Sequence, residues 1–135
     1  MTRSALSIGR TGELIAAAAL EIIGYHAIPV TGRKYDLLVD CGDRFLRVQV
    51  KACTSPRERG QYAFKSAHGS SAKKKYTEDD VDIFAFVALD VRRCMFLAAS
   101  QVTSVTVRYY QSEYQIPQNE SSSWFAALEA LNDVS

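Results

Sequence analysis

The chain has 135 residues, enough for one domain and too few for a second independent core. Hydrophobic residues make up 47%, which excludes global disorder, and no apolar run nears the roughly 20 residues that a membrane-spanning helix needs. Net charge is only +1, yet the segment from Arg33 to Lys75 holds 11 basic and 4 acidic side chains, and no Lys or Arg follows Arg108. Positive charge so concentrated suits a polyanion-facing surface. The N-terminus, Met-Thr-Arg-Ser-Ala, lacks the layout of a signal peptide, so a cytoplasmic protein without membrane contact is expected. Cys41, Cys53 and Cys94 are odd in number and lack CxxC spacing, which indicates neither a disulfide framework nor a zinc knuckle.

In chain order, residues 10–23 read as a helix, rich in Ala16–Ala19 and stopped by Gly24. Tyr25–Val30 reads as a short strand closed by Pro29 and Gly32. Leu37–Val39 and Phe45–Lys51 flank Gly42-Asp43, a pair that suits a two-residue type II′ hairpin turn. With that turn, Leu37 faces Val48 and Val39 faces Leu46, so Leu37, Val39, Leu46, Val48 and Val50 form one apolar face. Gln61–Ser66 is a further strand, and His68–Lys75 a basic loop by composition. Asp82–Leu89, continuously apolar after Asp82, reads as a strand buried on both faces and pairing with Cys94–Ala98. Val105–Tyr109 reads as an edge strand. Ser121–Leu131 reads as a helix capped by Asn119 or a following serine, with Trp124, Leu128 and Leu131 as its apolar stripe. The order predicts one α/β (α+β) domain over residues 1–135 with a single sheet.

The second face of the hairpin carries the chemistry. Its register sets Asp36 opposite Gln49, with Lys51 two residues further along the same face. Hard cations such as Mg²⁺ take oxygen ligands. Asp36 offers a carboxylate, Gln49 an amide oxygen and Val50 a backbone carbonyl. Glu13, read as lying in the first turn of the N-terminal helix, adds a second carboxylate if that helix packs across the hairpin. Lys51 is suited to orient or deprotonate a water, or to hold a phosphate.

Glu13, Asp36 and Gln49-Val50-Lys51 together resemble the PD-(D/E)XK nuclease pattern of a helix glutamate, a hairpin aspartate and an acid-X-lysine strand. Thr11-Gly12-Glu13, Gly24-Tyr25, Tyr35–Asp40, Arg47–Lys51 and Tyr76–Asp82 are similar to the branch holding group I intron homing endonucleases and archaeal Holliday junction resolvases. The resemblance implies a restriction-endonuclease-like domain, a central mixed β-sheet flanked by helices. It implies metal-dependent hydrolysis of DNA phosphodiester bonds at specific sites, with Mg²⁺ and with Mn²⁺ able to substitute. Glu13, Asp36, Gln49 and Lys51 would be catalytic, and Glu13, Asp36, Gln49 and Val50 would hold the metal. Gln49 departs from the usual acid, which removes one negative charge. Arg33, Lys34, Arg47, Arg57, Arg59, Lys65, Lys73, Lys74 and Lys75 are the expected DNA contacts. Cutting both strands of a double-stranded substrate calls for two sites, hence a homodimer or homotetramer. A structure-specific nuclease acting on branched DNA, or a non-catalytic DNA-binding module, are the alternatives.

Overall fold

The computed structural model describes residues 4–66 and 80–132. Helix α1 spans Ala5–Ile23; Ser4 caps it by accepting the Ser7 N–H at 3.2 Å, and Gly24, at φ +118°, ends it. The helix therefore begins before residue 10, and Glu13 lies in its third turn rather than its first. Gly12, Ala16 and Ala19 line its buried face. A Cβ at Gly12 would stand 2.9 Å from the Ala52 Cβ and 3.5 Å from Val50. Small residues on this face let the helix rest almost on the strand beneath it.

That strand belongs to a five-stranded sheet formed by β1 (His26–Pro29), β2 (Leu37–Asp40), β3 (Phe45–Cys53), β5 (Ile83–Ala88) and β6 (Arg93–Ala98), side by side in that order. Only β3 and β5 run parallel; the other pairs are antiparallel, which makes the sheet mixed. The hairpin register is the expected one, Leu37 opposite Val48 and Val39 opposite Leu46. Gly42 takes φ +88° at the turn, and the Cys41 N–H donates to the Arg44 carbonyl at 2.9 Å. Leu37, Val39, Leu46, Val48 and Val50 are all buried with α1 and with Trp124 of α3 (Gln118–Asn132).

The other face is covered by something the single-sheet expectation lacked. Among the described residues, strands β4 (Gln61–Lys65) and β7 (Thr106–Tyr110) pair only with each other, as a separate antiparallel ribbon. Their inward residues Tyr62, Phe64, Val107 and Tyr109 pack on Phe84, Phe86 and Met95, joined by Tyr114 of α2 (Gln111–Tyr114). The Phe64 and Phe86 rings lie 5.0 Å apart. This is why every residue of β5 is buried: α1 and α3 cover one side and the ribbon covers the other. A ribbon joined to the sheet edge would leave Phe84 and Phe86 in water, a loss of roughly 2 kcal/mol or more for each ring.

The C-terminal helix also starts earlier than expected, right after Pro117, so Asn119 sits inside it and donates to the Glu113 carbonyl at 2.8 Å. Glu120 and Ser123 of α3 accept the outward N–H groups of Cys94 and Phe96 at 2.9 and 3.0 Å. Side chains thus close the free edge of β6 to pairing with another chain.

Candidate active site

The site forms where β2 runs out. The Asp36 N–H still donates to the Val48 carbonyl at 2.8 Å, as a ladder bond. One step further there is no β2 backbone to receive the Val50 N–H, and the Asp36 carboxylate takes it at 2.8 Å. The same oxygen, Oδ2, accepts from the Gln49 Nε2 at 3.0 Å. That amide nitrogen also faces the Val50 carbonyl at 3.5 Å. Asp36, Gln49 and Val50 are thus one hydrogen-bonded unit, and Gln49, buried to 8% exposure, is held rather than swinging free.

Glu13 and Lys51 join this unit electrostatically. Burial raises the Glu13 carboxyl above its usual range, the Asp36 charge raises it further, and Arg10 opposes. Asp36 is raised as well, by burial, against the lowering effects of the Val50 hydrogen bond and the Lys51 charge. Burial lowers the Lys51 ammonium, and the Asp36 carboxylate props it up. Two carboxylates that both resist ionisation, beside a half-buried lysine, are groups waiting for positive charge.

The donor set suits a hard divalent cation. Its atoms are oxygens throughout: two carboxylates, one backbone carbonyl and one amide. Gln49 presents its N–H₂ end in this arrangement, so offering the oxygen requires the amide to turn over. Among the described residues no three His, Cys, Asp or Glu side chains converge, in keeping with the amide at position 49.

The expected DNA contacts divide by their surroundings. Arg33 lines a cleft of about 570 Å³ with Arg10, Glu13, Leu14 and Thr31. Arg10 escaped the sequence reading, although it lies three residues before Glu13, a spacing that puts both on one helix face. Lys34 pairs with Asp80 at 3.2 Å. Arg47 is tied to Asp82, which accepts from its Nη2 at 3.1 Å, its Nε at 3.2 Å and its backbone N–H at 2.8 Å. Arg57 and Arg59 line a second cleft of about 570 Å³ together with Arg108. Lys65 is exposed at the end of β4. Lys73, Lys74 and Lys75, the basic loop and most of Tyr76–Asp82 lie outside the described residues.

Against known proteins, a family model described as PD-(D/E)XK endonuclease matches residues 4–131. A solved structure of a bacterial homing endonuclease, I-Ssp6803I, is similar in fold, with a TM-score of 0.74, 16% identity and 98% of each chain covered. No curated protein matches by sequence.

Proposed function

Because the chain belongs to the PD-(D/E)XK endonuclease family, we propose that it is a metal-dependent DNA endonuclease that hydrolyses phosphodiester bonds at specific sites in duplex DNA. The observation that carries this reading is the Asp36 carboxylate at the end of β2, bonded to Gln49 and Val50 and sharing its field with Glu13 and Lys51. Asp36, Glu13, the Val50 carbonyl and the Gln49 amide oxygen would hold Mg²⁺, with Mn²⁺ as a substitute. A divalent ion held by these residues would supply an acidified water and offset charge on the phosphate.

The chain's own side chains do the rest. Lys51, whose ammonium is weakened by burial, orients the attacking water and exchanges a proton with it more readily than an exposed lysine does. The Asp36 charge favours the protonated form of that ammonium. Arg33, in the cleft beside Glu13, neutralises the strand leading into the site. Arg57, Arg59, Lys65 and the lysines at 73–75 would follow the backbone further out. Gln49 keeps the ligand shape with one charge fewer, which favours one tightly held ion over two. Site specificity is supported by the likeness to a homing endonuclease. Cleavage of both strands requires paired sites, so a homodimer or homotetramer is part of the proposal.

The test is cleavage of mixed supercoiled plasmid and four-way junctions in Mg²⁺, with Lys51→Ala as control. Discrete duplex products that vanish with chelator and in the variant support the reading. Cutting of junctions alone moves the substrate to branched DNA. Binding without any cleavage reduces the protein to a DNA-binding module.

A further inference from the structure

The β4–β7 ribbon has a second face that the core does not use. Alternation along the two strands turns Tyr62, Phe64, Val107 and Tyr109 inward, and sends Gln61, Ala63 and Lys65 outward beside Tyr110, Arg108 and Thr106. This outward face has no acidic residue. At one end it opens into the cleft of Arg57, Arg59 and Arg108, where Glu58 is the single carboxylate among the described residues. The turn there is closed by the Arg57 N–H donating to the Gln61 carbonyl at 2.7 Å. Arg59 sits at φ +60°, a left-handed conformation that glycine would adopt without strain.

The ribbon lies on the face of the main sheet to which Gln49 and Lys51 project, opposite the face that α1 covers. Lys51 is in parallel register with Phe86, and Gln49 with Phe84, so these side chains project to one face. Phe64 of the ribbon packs on Phe86 of that face. Arg57 follows Lys51 by six residues, so their Cα atoms lie at most ~22 Å apart, less than one turn of duplex. A two-stranded ribbon is narrow enough for the major groove, and arginine is the residue best shaped to grip guanine there.

We propose that the outer face of this ribbon enters the major groove, with Arg108 reading a guanine edge and Arg57 and Arg59 gripping the flanking backbone. This rests on the DNA-endonuclease reading and names the part of the chain that chooses the sequence within one turn of the cut.

The test separates recognition from cleavage. Full-length protein in EDTA is offered a pool of duplexes of random sequence, and the bound fraction is sequenced. The protein should enrich guanine at one position or more. Arg108→Ala and Arg108→Gln, both at an exposed position, should lose that preference by roughly 5- to 150-fold. Lys51→Ala should keep it. Arg57→Ala and Arg59→Ala should weaken binding to all sequences alike, each lowering the salt slope by about one. An unchanged preference in both Arg108 variants would overturn the proposal. So would a uniform loss of affinity in them, or a wild-type protein with no base preference. A preference lost in the Arg108 variants by a protein that cuts nothing upholds this inference and removes the nuclease reading instead.

Discussion

Gln49→Glu is the most informative single change. The Gln49 amide donates to Asp36 at 3.0 Å. A glutamate cannot donate when ionised, so that bond to a charged acceptor goes, a loss of about 1.5–3 kcal/mol. It also brings a third carboxylate next to Asp36 and Glu13, which already resist ionisation. The variant without metal should lose about 2–3 kcal/mol at neutral pH, lowering Tm by roughly 6–12 °C for a domain of this size. The pH dependence follows from the sign of the shifts. A carboxyl raised in the folded state favours folding when protonated. Its contribution is complete below the ordinary carboxylate range and is lost as pH rises through the raised value. The deficit of the variant should therefore shrink on acidification. Mg²⁺ should reverse the order, because three carboxylates bind it more tightly and stabilise in proportion to that binding. Thermal melts of both proteins at acidic and neutral pH, with and without Mg²⁺, check all of this. Equal melting temperatures without metal, or equal stabilisation by Mg²⁺, would refute the arrangement at position 49.

Three further outcomes are expected. Lys51→Ala should lower single-turnover cleavage by roughly 10²- to 10⁴-fold, with an unchanged circular dichroism spectrum. Gly12→Ala puts a methyl group 2.9 Å from the Ala52 Cβ, so overpacking of about 1–3 kcal/mol should exceed the ~1 kcal/mol gained in helix propensity. Urea denaturation should register a net loss, cleavage should fall as Glu13 shifts with the helix, and a variant of full stability would contradict the close packing. Asp82→Ala removes the acceptor of the Arg47 backbone N–H and of two guanidinium hydrogen bonds, and should cost about 1–3 kcal/mol in the same assay.

Much of the site could be read from residue order because its geometry is local. Strict alternation along Phe45–Lys51 and a glycine-led turn leave one register for the hairpin, and that register brings Asp36 to Gln49 and Val50. An unbroken apolar run likewise marked Asp82–Leu89 as a strand covered on both sides, and Ile83–Ala88 is that strand. What covers it was another matter. The inward residues of β4 and β7 are separated by some forty positions, and nothing in either segment says that its partner is the other rather than the main sheet. Arg47 and Lys34 looked like any other basic residue until Asp82 and Asp80 came to meet them. The depth of Glu13 in its helix depended on Ser4, whose capping bond is visible only once the chain has turned. Alternation and turn chemistry act between neighbours and are written in residue order. The closing of a sheet face, the pairing of distant charges and the nearness of the ribbon to Lys51 arise from burial, which depends on the whole chain at once.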